Sequence, residues 1–302
     1  MARLRIGVAL TALLLAFRSS PTAAPTFSHW SAPLNLSAVN SPANDAGPAV
    51  SRKQTSLYFN STRPGGLRRE RHRGVATGQC RRRVGAADQS LGREHVWIDA
   101  IPALSRDEHW LFFHSNRGGG VGGLDVWASY RPHIHDGFGW GPPVNLGPGV
   151  NSAFEDTNGG YFENDDDGAP QLFFASNRPG GIGAFDIYVS ELQPDGTFGP
   201  ATLISGLNTT MADPGLMVRF DGLEAFFYST RPGFGLTDLW TATRETVLDA
   251  WSAPVNMGPV LNGPGIDQRP YVASDRMTLY FAAERQGGAG GLDLYVSTRE
   301  RK

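Results

Sequence analysis

One ten-residue phrase recurs five times along this chain and restricts the fold more than any other feature. It reads LYFNSTRPGG from Leu57, LFFHSNRGGG from Leu111, LFFASNRPGG from Leu172, AFFYSTRPGF from Ala225 and LYFAAERQGG from Leu279. The shared aromatic residue steps by 54, 61, 53 and 54 positions through Phe59, Phe113, Phe174, Phe227 and Phe281. This period is too long for a solenoid coil and suits a four-stranded propeller blade.

Each repeat contains four phrases that we name strands a to d. An Asp opens strand a, and the aromatic phrase is strand b. A Gly-rich connection leads to strand c, such as LDVWAS from Leu124, and strand d follows, as in WGPPVNLGPGVN from Trp140. Alternating Val, Ile, Phe, Tyr and Trp between Gly and Pro residues predict strands rather than helices.

A strand d phrase, WSAPLNL from Trp30, precedes the first repeat, and the fifth repeat has no strand d of its own. We therefore expect an all-β fold, a closed five-bladed β-propeller of four-stranded antiparallel blades. It would form one domain over residues 27–299, with the N-terminal strand completing the last blade. Such closure removes strand edges that would otherwise pair with other chains.

An Arg-rich stretch interrupts the first repeat where strand c and most of strand d are expected. Residues 68–83 hold seven Arg, one Glu and the only cysteine, Cys80. In the other repeats an Asp follows the loop Arg by seven or eight positions, but eight positions after Arg63 is Arg71. Reading the codons one nucleotide later permits Asn-Asp-Ile here, so one hypothesis is that residues 68–95 are translated out of frame. The alternative is a basic insertion that binds an anionic partner.

Charge and the N-terminal segment restrict the partners and the location. The formal net charge is −2, and it becomes −11 without the Arg-rich stretch and the three Arg near the N-terminus. An acidic body argues against nucleic acid as a partner. Two early Arg, an apolar run from Ile6 to Phe17 and the small residues Ala23 and Ala24 predict a signal peptide over residues 1–24. The run is too short to span a membrane comfortably, so we expect a secreted or periplasmic protein without a membrane span.

The phrases SNRPGG, GLDVWAS and WGPPVNLGPGVN resemble the WD-repeat-like β-propeller repeats of the TolB type. The resemblance covers nearly the whole chain after residue 24, and it fails in the Arg-rich stretch and at Phe198, where the strand d phrase lacks Trp. It implies an interaction scaffold in the periplasm or outside the cell rather than an enzyme.

Repeated acidic residues are predicted to be structural. A catalytic site needs unlike groups in unlike environments, whereas these residues recur in each repeat. Those of strand a are expected to accept backbone N–H bonds at the turn that enters the strand. Those of strand c are expected to pair with the loop Arg across the Gly-rich connection. The two sets are Asp45, Asp99, Asp156, Asp213 and Asp267 in strand a, and Asp125, Asp186, Asp238 and Asp293 in strand c.

We predict no catalytic residue, metal or cofactor. Calcium binding by the loop GGVGGLD from Gly119 is a weaker alternative, because tandem stacked copies of that motif are absent. Asp165 to Asp167, and His133 with His135, are further metal-ligand candidates for which solvated polar loops are the favoured interpretation.

The favoured function is a non-catalytic scaffold, expected to be monomeric, whose ligand is a protein or a cell-envelope polysaccharide. The face that carries the b–c and d–a loops is the predicted binding face, through Asn116, Arg117, Asn177, Arg178, Arg231 and Arg285. One alternative is a lectin-like carbohydrate binder that uses Trp140 and Trp251 with Asn145 and Asn256. The other is a carbohydrate-active hydrolase with a carboxylate pair in the central channel.

Overall fold

The computed structural model describes residues 26–63, 98–137, 139–163 and 169–302, and the backbone of two strands at 71–76 and 79–80. Its strands form five antiparallel sheets of four strands each, and these residues contain no helix. Within the described part of the chain there is accordingly no helix able to cross a membrane. The predicted all-β propeller architecture is confirmed.

Four sheets are complete blades. The second sheet contains β6 (Asp99–Leu104), β7 (Trp110–Ser115), β8 (Asp125–Tyr130) and β9 (Val144–Asn145). The third contains β10 (Asp156–Phe162), β11 (Gln171–Ser176), β12 (Asp186–Glu191) and β13 (Thr202–Leu203). The fourth contains β14 (Gly215–Val218), β15 (Glu224–Ser229), β16 (Asp238–Thr243) and β17 (Val255–Asn256). The fifth contains β18 (Asp267–Val272), β19 (Thr278–Ala283), β20 (Asp293–Thr298) and, at its outer edge, β1 (Leu34–Asn35).

The first sheet differs from these four and corrects the prediction from sequence. Its inner strands are β2 (Asp45–Val50) and β3 (Ser56–Ser61), and its outer strands are β4 (Arg71–Ala76) and β5 (Gln79–Cys80). The Arg-rich stretch thus supplies a backbone strand, which pairs with β3 from Ser61↔Arg71 to Ser56↔Ala76. The sequence of this outer half nevertheless departs from the repeat that forms strands c and d in the other four sheets. The prediction of a closed propeller with five complete blades is therefore wrong. The structure supports four complete blades, and the first sheet lies between the second and the fifth sheets.

Strand a lies innermost in each sheet, and the apolar core lies between neighbouring sheets. Strands β2, β6, β10, β14 and β18 contact one another in that order, and β18 also contacts β2. The repeated Phe of strand b is buried in every sheet, which explains its recurrence. The outermost strands β1, β9, β13 and β17 are only two residues long, and Pro precedes three of them. Short edges with Pro discourage pairing with other chains.

The alternation of strand direction separates two faces of the molecule. The a–b and c–d connections emerge on one face, and the b–c and d–a connections emerge on the other. We call the second one the loop face, and it consists of residues 36–44, 62–63, 116–124, 146–155, 177–185, 204–212, 230–237, 257–266 and 284–292.

The N-terminal strand closes the outer edge of the fifth sheet. Leu34 and Asn35 of β1 pair with Val296 and Tyr295 of β20. The guanidinium of Arg299 also lies over the rings of two residues that precede β1, at 4.0 Å from the centroid of Phe27 and 4.4 Å from that of Trp30. This segment therefore contributes both backbone pairing and apolar contact.

Removal of residues 26–36 should expose the edge of β20 and cause self-association. A protein that starts at Ser37 is expected to form oligomers and to unfold at a lower temperature than a protein that starts at Thr26. Light scattering after gel filtration measures the association. A monomer with an unchanged unfolding transition would contradict this role of β1.

A turn in the fifth sheet also fastens that sheet to the first. The carboxylate of Asp275 accepts hydrogen bonds from Gln54 Nε2, Thr278 Oγ1 and the backbone N–H groups of Met277 and Thr278, at 2.7–2.9 Å. Burial would raise the pKa of Asp275, but these hydrogen bonds outweigh it and lower the pKa below its usual value. The stabilisation is present above the pKa of the unfolded chain and is lost as the pH falls through the lowered pKa of the folded protein.

Asp275→Asn should therefore destabilise the protein at neutral pH more than in acid. The difference in unfolding free energy between wild type and variant should be nearly constant from pH 7 to 5 and should shrink below about pH 4. Urea unfolding at a series of pH values measures it. A difference that stays constant to pH 2.5 would contradict the assignment.

Candidate binding surfaces: the loop face and the central channel

An ion pair between the loop Arg and the Asp of strand a recurs in all five sheets. The nearest nitrogen–oxygen distances are 2.5–2.7 Å, and four of the five carboxylates are fully buried. The pairs are Arg63–Asp45, Arg117–Asp99, Arg178–Asp156, Arg231–Asp213 and Arg285–Asp267. Buried charges of this kind are stable only when paired and hydrogen-bonded.

The third sheet shows the full set of contacts around this pair. Arg178 Nε donates to Ser176 Oγ at 2.9 Å, and Nη2 donates to both Asp156 Oδ1 and the carbonyl of Val150. The guanidinium also lies over the ring of Phe174, 5.2 Å from its centroid, and over that of Tyr188. One side chain thereby joins the d–a connection with strands a, b and c of its blade.

The second oxygen of the strand a carboxylate binds the turn that precedes the strand. Asp156 Oδ2 accepts the backbone N–H and the hydroxyl of Ser152, and Asp213 Oδ2 accepts the same groups of Thr209. Because both oxygens are occupied and the side chains are buried, these carboxylates fix the entry into strand a.

The strand c Asp does not pair with the loop Arg as the sequence spacing suggested. Asp125 instead accepts backbone N–H groups from Val121 and Gly122 within the Gly-rich loop, and a side-chain N–H from Asn145 at 2.9 Å. A Cβ atom on Gly120 would lie 2.2 Å from Asp125 Oδ2, so the loop needs glycine to wrap around the carboxylate. Asp186, Asp238 and Asp293 accept loop N–H groups in the same way.

The residues predicted to bind a ligand on the loop face are mostly engaged within the protein. Asn116 Oδ1 accepts the N–H of Ile98, and Asn177 Oδ1 accepts that of Glu155, at 2.7 and 2.9 Å. The side chains of the four predicted arginines are 10–22% exposed, so each offers a ligand only a small part of its surface. These arginines are Arg117, Arg178, Arg231 and Arg285.

The described part of the loop face instead exposes several large apolar side chains and few charged groups. Apart from the paired Arg and the buried Asp residues described above, its described residues include only two charged groups, Glu155 and Glu284. Seven apolar side chains on this face are 42–70% exposed, namely Val121, Phe154, Ile182, Met211, Phe234, Leu236 and Val260. The loops interlock, since a Cβ on Gly122 would meet the carbonyl oxygen of Phe154 at 2.2 Å. This surface was not predicted, although apolar residues within otherwise small and polar loops are its signal in the sequence.

The fifth sheet lacks one contact of the repeated network. Ala283 takes the place of the Ser that accepts from the arginine Nε in the other four sheets. Arg285 Nε is consequently buried without a hydrogen-bond partner in the described part of the chain. A buried donor without an acceptor reduces stability.

Ala283→Ser should raise the free energy of unfolding by about 1 kcal/mol, because it supplies the missing acceptor. The neighbouring substitution Ala282→Ser is the control, since Ala282 is fully buried among apolar side chains and its hydroxyl would lack such a donor. Denaturant unfolding should show stabilisation by the first change and destabilisation by the second. Equal losses from both would contradict this account of Arg285.

Stacked arginines cover the tryptophans proposed as sugar platforms. The guanidinium of Arg131 lies 4.3 Å from the ring centroid of Trp140, and that of Arg244 lies 4.2 Å from the ring centroid of Trp251. Each Arg follows the strand c Asp by six positions, and in the third sheet Leu192 and Phe198 replace both partners. Asn145 and Asn256 donate to the strand c carboxylates. The four residues of the lectin alternative are therefore engaged in the framework.

A central channel opens between the inner strands. The third position of strand a projects a bulge into it in four sheets, where the backbone is left-handed: φ is 61° at Gly47, 55° at Ile101, 57° at Asn158 and 56° at Arg269. The strand a–strand b register shifts at the same place. Bulges of this kind re-aim side chains and are frequent next to functional sites.

A small polar cluster surrounds the bulge of the third sheet. Asn158 N donates to His114 Nδ1 at 3.3 Å, and Asn158 Nδ2 donates to the hydroxyl of Tyr228 at 3.0 Å and to the carbonyl of Pro214. Burial, with a contribution from Glu163, raises the pKa of Tyr161 in the channel wall well above its usual value. Tyr161 is therefore neutral at ordinary pH.

Among the described residues that line the channel, Glu163 is the single carboxylate. The strand a Asp residues lie outside the lining, in the ion pairs already described. No group of three or more His, Cys, Asp or Glu side chains in the described ranges is arranged to hold a metal. His133 and His135 are exposed in a turn closed by the N–H of Asp136 on the carbonyl of His133, and Asp165 to Asp167 lie outside the described residues.

Comparisons with known proteins identify the fold and no family. No protein-family model matches the sequence, and no curated protein does. Solved structures match, including an endo-arabinase from Bacteroides thetaiotaomicron VPI-5482 at 15% identity and a TM-score of 0.54, which covers 90% of this chain and 97% of that one. The catalytic domain of a Coprinopsis cinerea GH62 α-L-arabinofuranosidase matches at 11% identity and a TM-score of 0.53, over 91% and 98% of the two chains.

TolB from Acinetobacter baumannii matches at 13% identity and a TM-score of 0.52, over 85% of this chain and 55% of that one. This chain thus spans about half the length of that TolB. The structural neighbours include both TolB and glycoside hydrolases, so at these identities the likeness establishes a shared β-propeller fold.

Proposed function

We propose that this protein is a non-catalytic binding propeller, related to the WD-repeat-like repeats of the TolB type and exported from the cytoplasm. Its ligand is a protein that docks on the loop face. The observation that carries the proposal is the combination of exposed apolar side chains and, among the described residues of that face, few charged groups outside the Arg–Asp network. The leader-like residues 1–24 support export.

Apolar exposure on this scale suits a protein partner better than a polysaccharide. Contiguous exposed apolar patches with a polar surround mark interaction sites, and the centre of a protein interface is depleted in charged residues. The internal network holds these loops rigidly, which limits the entropy lost on binding. Asn116, Arg117, Asn177, Arg178, Arg231 and Arg285 then contribute by fixing loop shape and by their small exposed portions.

A carbohydrate-active hydrolase remains the second candidate, because several solved structures with this fold are arabinan- or arabinofuranoside-acting enzymes by name. Glycoside hydrolysis generally uses two carboxyl groups that flank the scissile bond. The described channel lining supplies one, Glu163, and the strand a carboxylates are bound to Arg. This arrangement favours the binding function over hydrolysis.

Site-specific photocrosslinking tests the binding face. A benzophenone amino acid at Leu236, 70% exposed on the loop face, should give one discrete protein adduct when the protein is made in its native cell. The same label at Leu248, 83% exposed in the c–d connection of the same blade, is the matched control and should not give that adduct. Adducts from position 248 alone, or none from position 236, would contradict the proposal.

A turnover assay on arabinan and aryl arabinofuranosides separates the two candidates. The purified protein should release no product above a buffer control. Release that is abolished by Glu163→Gln and unaffected by Leu236→Ser would replace the binding function with hydrolysis in the channel.

A further inference from the structure

Arg269 differs from the five loop arginines in its surroundings. It lines the channel and is half-buried, yet it makes no hydrogen bond or ion pair with any described residue. Its Nε is buried and unpartnered within that part of the chain. The five loop arginines, by contrast, each bind an Asp. A partly buried guanidinium without a counter-charge is costly, and an anion that enters the channel would offset the cost.

The backbone at Arg269 adds a second cost. Its φ of 56° lies in the left-handed region, which is unfavourable for a residue other than glycine. Gly47 occupies the equivalent bulge in the first sheet, with a φ of 61°. Glycine would therefore fit this bulge with less strain, and Arg carries a chemical group there that glycine cannot supply.

Asn158 provides a complementary group at the equivalent bulge of the third sheet. It lines the same channel and is only 8% exposed. Its Nδ2 is engaged with Tyr228, but its Oδ1 is buried and has no donor among the described residues. An unsatisfied buried acceptor favours a ligand that brings an N–H or O–H group.

The remaining wall selects for an apolar body between these two polar groups. Pro102, Leu104, Met217, Val218 and Pro270 all line the channel. Concave sites with mainly apolar walls and a few convergent polar groups are typical of small-molecule binding. The wall therefore disfavours inorganic anions such as phosphate, which would gain nothing from it.

We propose that the central channel binds an organic carboxylate with an apolar body and a nearby hydrogen-bond donor. The carboxylate pairs with the guanidinium of Arg269, the donor serves Asn158 Oδ1, and the apolar part packs against Met217 and Pro270. An N-acylated apolar amino acid has all three features, and so does the C-terminal residue of a polypeptide. This proposal goes beyond the proposed function, because the site shares no residue with the exposed apolar side chains of the loop face. Experiments can therefore disprove the channel site while the proposed function holds, or disprove the proposed function while the channel site holds.

Calorimetry on the wild-type protein tests the chemistry with N-acetyl-leucine and N-acetyl-leucinamide. The acid should bind at least tenfold more tightly than the amide, because the amide carries no charge for Arg269. A peptide of about ten residues that ends in Leu distinguishes the source of the carboxylate, since tighter binding than N-acetyl-leucine indicates a polypeptide end and equal binding indicates a small molecule. Equal binding of acid and amide, or no binding of the acid at millimolar concentration, would overturn the proposal.

Arg269→Gly tests this residue, and Gly47 at the equivalent bulge shows that glycine is compatible with this backbone. The variant should melt several degrees higher than wild type, because strain and an unpaired charge are removed, and its affinity for N-acetyl-leucine should fall at least tenfold. Arg269→Gln should lose affinity similarly without the gain from glycine. Arg301→Gln, at an exposed residue outside the channel lining, is the control and should change neither property. Affinity retained in Arg269→Gly would refute the assignment, and the loop-face crosslink from position 236 should be unaffected in all three variants.

Discussion

The buried ion pair between the loop Arg and the strand a Asp is the interaction on which the rest of the structure depends. In the third sheet, Arg178 binds a carboxylate, a serine hydroxyl and a backbone carbonyl while its planar face covers two aromatic rings. The guanidinium suits this task because it is planar and offers several donors in a fixed geometry, which a Lys cannot reproduce. Since the pair is shielded from water, loss of either partner would leave an uncompensated buried charge. This requirement explains why the phrase that contains the loop Arg recurs in the sequence.

The same requirement explains why the recurring polar residues are poor candidates for chemistry. Asp156 and Asp125 are both conspicuous as carboxylates near a loop, but each is saturated by N–H, hydroxyl or guanidinium donors. Features that break the repeat are more informative about function. Arg269 stands at a bulge where the first sheet has glycine, and Leu236 is the most exposed of the large apolar residues on the loop face.

Periodicity in the sequence was sufficient to predict the propeller, the order of strands within a blade and the position of β1 beside β20. It was not sufficient to predict which Asp forms the ion pair with each loop Arg. Ser176 lies opposite Asp156 on one side and Asp186 on the other, so the antiparallel register places both carboxylates beside the same Arg178. The outcome depends on the Gly-rich loop, whose N–H groups surround Asp186 and leave Asp156 for the guanidinium. The blade count was wrong because the first repeat was counted as a blade, although residues 68–83 depart from the pattern that forms strands c and d elsewhere. The left-handed backbone at Ile101 and Arg269 had no signal in the residue types themselves.

The fifth sheet, which takes β1 from the beginning of the chain, also constrains how the protein folds. Asn35 and its partner Asp293 are 258 positions apart in the sequence. Contacts with such a large sequence separation raise the contact order and slow folding, because a long loop must be closed before the contact contributes. Phe27 and Trp30 are synthesised long before β20. Their apolar rings therefore lack their partners in the fifth sheet until the end of synthesis. Folding of the last blade is thereby delayed until nearly the whole chain is available, and chaperone binding to this early segment would have its greatest effect during that interval.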